Sequence, residues 1–375
     1  MKKIIILNYG LHISGVSRTL VNFANALVNH GYDVTVKIEI PDFTLQSELD
    51  SRVKCSLFLK EPHPFGMRIR GFLRFYSRYL KWLLKQPAEK QYRFVVRDEY
   101  DIEIAFNRGA AANIISASKN LKSKKLVWVH NDYMKNSNPL AGFRDLKDAQ
   151  RGYAKFDSIV CVSEQAERSF AQKFGSGYPL TTRYNIMDFE RICSDALKEK
   201  ISTEKFTIVA VGRLSEQKNY KLMLDVIAEL NHRNIMVGCW IVGGGELEQE
   251  LKKYKEDRSL HNVKFWGAQT TPYPYMKCAD LYLSTSIYEG LSTTTIEALI
   301  LGKPCIVTDC TGMKNILGQN NEYGIVTSYQ VSEIADKIEW MIENEEVRKH
   351  YAEKALERAA DFDPEVAFRR IEELF

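Results

Sequence analysis

Short β-branched runs alternate with amphipathic helical stretches along this chain, and the order strand, glycine loop, helix starts twice. That pattern commits each half to parallel strands joined by crossover helices. In the first half Lys3–Leu7 reads as a strand and 10–15 as a loop. Val16–Asn29 reads as a helix with Val16, Leu20, Phe23, Leu27 and Val28 inward, stopped at Gly31. Further strands are expected at Val34–Ile38, Ile102–Phe106, Leu126–His130 and Ser158–Ser163. The rhythm restarts with strand Thr207–Val211, loop Gly212–Asn219 and a helix near Tyr220–Asn231. Strands Met236–Val242, Val263–Trp266 and Leu281–Ser284 follow, then helix Thr293–Leu301 and strand Cys305–Thr308. Two nucleotide-binding folds joined near residues 185–200 are implied. A charged helical stretch, Val331–Phe375, closes the chain and is interrupted at Asp361-Phe362-Asp363-Pro364.

A length of 375 residues suits two domains, and 45% hydrophobic with 27% charged residues is a globular composition. No apolar run approaches the roughly 18 residues needed to cross a bilayer. The apolar start, Ile4 to Leu7, is too short for a signal peptide and reads as a first buried strand. Seven cysteines (55, 161, 193, 239, 278, 305, 310) form no CxxC pair and mostly sit in apolar surroundings. They fit buried thiols in a reducing cytoplasm, not a disulfide framework or zinc site. Residues 1–190 carry 29 Lys and Arg against 19 Asp and Glu, whereas the second half is net acidic. The first half is therefore expected to meet something anionic.

Four segments carry candidate chemistry. The loop Gly212-Arg213-Leu-Ser-Glu-Gln-Lys218-Asn219 leaves a buried strand at the sheet's carboxyl edge, where open α/β folds bind ligands. Arg213 offers a planar fork and Lys218 a compact charge, a pairing suited to a diphosphate; two solvated surface cations are the plain alternative. In Glu289-Gly290-Leu291-Ser292-Thr293-Thr294-Thr295-Ile296-Glu297, Gly290 permits close backbone approach and Ser292 or a following threonine is placed to cap the next helix. The helix N-terminus offers an anion site, and Glu289 and Glu297 are spaced to face one ligand. His130 ends an apolar strand, a position open to either a structural or an active-site role. Gly15 stands at the first strand–loop–helix turn, compatible with phosphate approach and weak alone.

Together these residues resemble the retaining GT-B glycosyltransferases of family GT4. The resemblance rests on Glu289-x7-Glu297, the Gly212-Arg213-Leu-x-x-x-Lys218 loop, Val162-Ser163-Glu164 and Asn185-x-x-Asp188, and it runs over nearly the whole chain. It implies an α/β GT-B fold: two Rossmann-like domains facing across a cleft, residues 1–188 for the acceptor and 189–359 for the donor. A last helix, about 360–375, packs back on the first domain. It implies that Arg213 and Lys218 hold the donor diphosphate, Glu297 the ribose and Glu289 the donor sugar. Amides near Ser292–Thr293 and Gly15 complete the phosphate cradle, with Gly212, Gly290 and Leu291 in the same pocket. Gly244, Gly267 and their neighbours border the base, and His130 lies beside the transferred sugar. Catalytic roles thus fall on His130, Arg213, Lys218 and Glu289. Many members read Glu-Gly-Phe-Gly where this chain has Glu289-Gly290-Leu291-Ser292, which leaves the sugar identity open. Retention without a covalent nucleophile is implied, with no metal and no cofactor beyond a UDP- or GDP-linked sugar. Asp361-Phe362-Asp363 reads as a helix boundary, not a metal motif.

Between Met67 and Arg97 nine basic residues face one acidic residue, Glu89. Arg70, Arg74, Arg78, Lys81 and Lys85 share one helical face; Ile69, Phe72, Leu73, Tyr76, Leu80 and Leu83 line another, and Tyr79 and Trp82 add interfacial aromatics. A basic amphipathic helix of this kind suits an anionic membrane surface, where a lipid-linked saccharide acceptor would be met; a core-packed helix with a solvated basic face is the alternative. The expected setting is the inner face of the plasma membrane, in capsule, exopolysaccharide or wall glycan synthesis. No nucleic-acid module accompanies the charge. A nucleotide-sugar epimerase and a non-catalytic partner subunit are the competing readings. A dinucleotide oxidoreductase is disfavoured, because Gly243-Gly244-Gly245-Glu246-Leu247-Glu248 lacks the third small residue of that fingerprint.

Overall fold

The computed structural model describes the chain except residues 60–68, 136–137, 204 and 311, and except the side chains of 69–73. Two compact units emerge: Met1–Ile186 with Phe368–Phe375, and Met187–Ala367.

Unit 1 holds strands β1 (Lys3–Asn8), β2 (Asp33–Ile38), β3 (Lys54–Leu57), β4 (Ile102–Ala105), β5 (Lys124–Val129), β6 (Ser158–Cys161) and β7 (Leu180–Thr182). They form one sheet in the order 3-2-1-4-5-6-7, and every pair is parallel. Unit 2 repeats the scheme with β8 (Thr207–Val211), β9 (Gly238–Val242), β10 (Val263–Gly267), β11 (Leu281–Ser284), β12 (Cys305–Thr308) and β13 (Ile325–Thr327), ordered 10-9-8-11-12-13. Parallel strands covered by helices on both faces must be apolar throughout. Ile4 to Leu7, Ile208, Val209, Leu281 and Cys305 to Val307 are accordingly buried to 1% exposure or less.

Strands β3, β7 and β13 escape the sequence reading. They are three or four residues long, and β3 and β7 present half-exposed polar side chains without an apolar signature. Strand β9 starts at Gly238, not at Met236, which is left 53% exposed. In the first helix, Gly15–Asn29, Val16 is only half-buried while Val21 and Ala24 join the core, a small rotation of the inward face.

Phe368–Phe375 belong to unit 1, whereas residues 360–367 group with unit 2, so the stretch 360–375 is divided between the two. Phe368 stacks on His30 at 3.7 Å between ring centroids, Tyr32 Oη donates to Glu372 at 2.8 Å and Arg183 Nε donates to the Arg370 carbonyl at 2.6 Å. Asp361 pairs with Arg358, and Asp363 caps helix Pro364–Glu372 by accepting from the amides of Glu365 and Val366. Both aspartates thus serve a helix boundary.

Glu39 follows β2, and burial pushes its carboxyl up to about 7. The folded protein then keeps a proton that the unfolded chain has released above about 4.5. This contribution to stability is complete below that pH and disappears as pH rises through 7. Glu39→Gln should therefore raise the melting temperature at pH 8, by up to roughly 3 kcal/mol of stability, and change little at pH 4.5. Equal shifts at both pH values would refute the assignment.

Candidate active site

In unit 2 the strand order reverses between β8 and β11, so the loops leaving these two strands flank the position where doubly wound sheets bind ligands. Strand β8 delivers Gly212, whose φ of +154° and amide bond to the Val242 carbonyl (3.0 Å) turn the chain sharply. Arg213 points outward with its side chain 73% exposed, and its Nε donates to Glu246 at 3.1 Å. A single 3₁₀ turn, Glu216–Lys218, follows, and Asn219 takes the left-handed conformation (φ +49°) before helix Tyr220–His232. Asparagine tolerates that region better than most residues. The turn brings Lys218 inward, where its Nζ donates to Glu289 Oε1 at 2.6 Å.

Strand β11 continues into a polar run. Thr285 Oγ1 donates to the carbonyls of Lys218 and Asn219 at 3.1 and 3.0 Å, fastening the lysine turn. Ser286 Oγ donates to Glu289 Oε1 at 2.9 Å, and Gln217 Nε2 reaches Glu289 Oε2 at 3.3 Å and the Tyr288 carbonyl at 2.8 Å. Glu289, 7% exposed, is thus held by three donors from two loops. Burial works against the Lys218 ammonium, but the adjacent Glu289 carboxylate outweighs it and holds the lysine pKa above its ordinary value. The lysine stays charged.

Helix Thr293–Ile300 begins just beyond. Ser292 occupies the capping position, yet its side chain does not cap the helix, and among the described residues no side chain accepts from the first-turn amides. The Ser292 oxygen instead accepts from Thr295 Oγ1 at 2.9 Å. This corrects the expected cap and leaves the dipole's positive end without a side-chain acceptor. Glu297 lies one turn in, 6% exposed, with Tyr273 Oη donating to it at 3.4 Å. Gly290, Leu291 and Ser292 are buried in the same loop, and Thr293 is half-buried. The spacing Glu289-x7-Glu297 therefore puts both carboxylates in buried positions, with different partners.

The glycines beside this site have backbone reasons. A Cβ on Gly243 (φ +149°) would lie 1.9 Å from the Gly212 carbonyl oxygen, and one on Gly245 would lie 2.3 Å from that of Leu214. Leu214 N bonds the Gly244 carbonyl at 3.0 Å and Gly243 N bonds the Gly267 carbonyl at 2.8 Å. The loops after β8, β9 and β10 are therefore stacked backbone on backbone. Gly244 and Gly267 stay half-exposed at this edge, with room for a ligand.

In unit 1, Ser14 caps helix Gly15–Asn29 by accepting from Ser17 N at 3.3 Å, and Gly15 is exposed at its first turn. His130, just past β5, packs against the Phe106 ring at 4.9 Å. Its Nε2 lies 2.8 Å from the Phe106 carbonyl, an acceptor only, so Nε2 carries the proton. Burial pushes the imidazole down to about 4, partly opposed by that carbonyl, and the ring is neutral at pH 7.

The basic helix spans Ile69–Leu84. Arg74, Arg78, Lys81, Trp82 and Lys85 are exposed, with Trp82 39% and Phe75 48% open to solvent; the side chain of Arg70 lies outside the described residues. Its described apolar face, Tyr76, Leu80 and Leu83, is buried in unit 1. No helix among the described residues is long and apolar enough to cross a membrane.

Sequence reading missed Gln217, Thr285, Ser286 and Tyr273. The polar run Ser284-Thr285-Ser286 directly after a buried strand was a usable signal for two of them. Tyr273 stands 24 residues from Glu297, and only the fold joins them.

The sequence matches Glycosyltransferase Family 4 over residues 13–191 and Glycosyl transferases group 1 over residues 195–358. The chain belongs to the family 4 glycosyltransferases. This transferase is 27% identical over 390 residues to the amylovoran biosynthesis glycosyltransferase AmsD of Erwinia amylovora, spanning 99% of this chain and 98% of that one. It is 30% identical over 215 residues to the N-acetylgalactosamine-N,N'-diacetylbacillosaminyl-diphospho-undecaprenol 4-alpha-N-acetylgalactosaminyltransferase of Campylobacter jejuni, covering 56% and 58% of the two chains. Among solved structures it resembles Anabaena HepE in complex with UDP and glucose, with a TM-score of 0.78, 20% identity and coverage of 100% and 99%. The transferase has the GT-B fold.

Proposed function

We propose that this glycosyltransferase takes a sugar from a nucleotide diphosphate donor bound in unit 2 and transfers it, with retention, to a saccharide acceptor in surface-glycan synthesis. The carrying observation is the buried Lys218–Glu289 pair, set at the strand-order switch beside a helix whose first amides lack a side-chain cap. Lys218 and those amides suit the donor's diphosphate, and Arg213 is free to add its fork, because an exposed ion pair with Glu246 holds it only weakly. As the glycosidic bond breaks, negative charge moves onto the leaving nucleotide, and these groups meet it without moving. Glu289, fixed by three donors, accepts from donor-sugar hydroxyls, and Glu297 accepts from the ribose. Gly212, Gly244, Gly267, Gly290, Leu291, Ser292 and Thr293 line the donor pocket. No nucleophile and no metal are assigned. A UDP donor is favoured by likeness to proteins whose structures hold UDP. A lipid-linked acceptor is favoured by the relative whose name carries diphospho-undecaprenol.

A thermal-shift screen with UDP, GDP, ADP and their sugar conjugates tests the donor site. At 100 times Kd the matching nucleotide should stabilise by about 2.7 kcal/mol, which for units of this size raises the melting temperature by roughly 5–10 °C, with or without EDTA. Arg213→Ala should melt like the parent alone and lose much of the shift. No shift with any nucleotide would move weight to a partner-subunit role.

For the acceptor side we propose peripheral attachment to anionic lipid through Arg74, Arg78, Lys81 and Lys85, with Phe75 and Trp82 dipping into the interface. The buried apolar face excludes deep insertion of this helix, so binding should be electrostatic and salt-sensitive. Pelleting with phosphatidylglycerol vesicles at low salt, released by high salt and lost in Arg74→Glu/Arg78→Glu, is the expected result; no pelleting at low salt would end this part of the proposal.

A further inference from the structure

Beyond the donor site, unit 2 carries a second concavity. An open cavity of about 390 Å³ lies at the outer end of the sheet, bounded by the residues leaving β12 and β13 and by the segment between those strands. This volume falls within the roughly 300–1,000 Å³ of small-ligand sites. Its wall is mixed: Asp309, Lys314, Gln319, Asn321, Thr327 and Ser328 supply polar groups, and Val326 and the ring of Tyr329, 38% exposed, supply apolar surface.

The chemistry of that wall selects a ligand class. Lys314 Nζ donates to Asp309 Oδ2 at 2.6 Å, so the only cation and the only carboxylate on the wall neutralise one another. The wall therefore carries no net charge, and electrostatics favours neither an anion nor a cation there. What remains is a set of neutral groups able both to donate and to accept. The Gln319 carboxamide makes no hydrogen bond to other described residues, and Asn321 spends its Oδ1 on Val326 N at 2.9 Å. With a half-open aromatic ring beside them, these groups match a neutral ring bearing hydroxyls on its rim and C–H bonds on its face.

The cavity is also tied to the Glu289 loop. Tyr329 Oη donates to the carbonyls of Ser286 and Ile287, each at 3.2 Å, and Ser286 Oγ bonds Glu289 Oε1. The tyrosine that walls the cavity thus braces the loop that carries the proposed sugar-binding carboxylate.

We propose that this cavity is a saccharide subsite, separate from the donor pocket, which holds a neutral sugar ring of the acceptor glycan through Tyr329, Gln319 and Asn321. The proposal adds to the donor-site reading and is tested without it. Saturation-transfer difference NMR on the full chain would use the methyl glycosides of glucose, galactose, N-acetylglucosamine and N-acetylgalactosamine, with and without saturating UDP, and inorganic phosphate as a competitor. The expected result is a signal from at least one glycoside that survives both UDP and phosphate. It should fall at least fivefold in Gln319→Ala, a surface change that leaves the fold intact, and in Tyr329→Ala. Tyr329→Phe, which keeps the ring, should retain most of the signal. No signal from any glycoside, a signal unchanged in Gln319→Ala and Tyr329→Ala, or one abolished by phosphate would overturn the subsite. A signal abolished by UDP would place the sugar in the donor pocket and likewise overturn it. Failure of UDP to shift the melting temperature, by contrast, would count only against the donor-site reading.

Discussion

Lys218→Ala is expected to lower transferase turnover by about 10²–10³, or roughly 3–4 kcal/mol of transition-state stabilisation. Of Arg213 and Lys218 it is the lysine that the fold turns inward, and its 2.6 Å bond to Glu289 shows how it is aimed. The same change leaves the Glu289 carboxylate buried without its counter-ion, which costs about 3–5 kcal/mol of stability where a buried pair is broken on one side. Loss of activity alone would therefore be ambiguous. Lys218→Met combined with Glu289→Gln removes both charges and restores stability while leaving turnover low. Steady-state release of the nucleoside diphosphate from the nucleotide sugar found by the thermal-shift screen gives the rate, and circular dichroism melting gives the stability. A Lys218→Ala enzyme that is folded and as active as the parent would remove the lysine from the mechanism.

The second large effect concerns the glycine loops. Gly243→Ala should destabilise by about 3–5 kcal/mol, since alanine at φ +149° is strained and its methyl would sit 1.9 Å from the Gly212 carbonyl oxygen. For a unit of this size that lowers the melting temperature by roughly 6–20 °C. Gly244→Ala is the control. There the nearest atom is the Ala268 Cβ at 3.4 Å, an ordinary contact, and φ is not positive. Adjacent glycines should thus differ by many degrees. Equal melting of the two variants would mean that the loops after β8 and β9 do not stack as described.

Much of this architecture was legible in advance for a physical reason. A parallel strand covered on both faces has to be a continuous apolar run, and runs such as Ile4 to Leu7 or Cys305 to Val307 have few other destinations. The short edge strands β3 and β7 were not legible because half-exposed segments carry little apolar signal, and β13 was not because three residues are too few to show a period. The glutamate spacing and the Gly212–Lys218 loop could be read because each is local: one strand and one turn position all their residues.

Two Rossmann-like units, and the loops at the carboxyl edges of their sheets, follow from residue order alone. How the residues of those loops divide their work was settled by long-range packing. Arg213 and Lys218 look interchangeable in a list of cations, yet the 3₁₀ turn and left-handed Asn219 send one outward and one inward. Helix Ile69–Leu84 read as a basic amphipathic helix suited to an anionic surface or, alternatively, packed on the core with its basic face solvated; unit 1 buries Tyr76, Leu80 and Leu83 and leaves Arg74, Arg78 and Lys81 outside. Periodicity states that a face is apolar; it carries no information about what covers it, because burial is settled by contacts between residues distant in the chain.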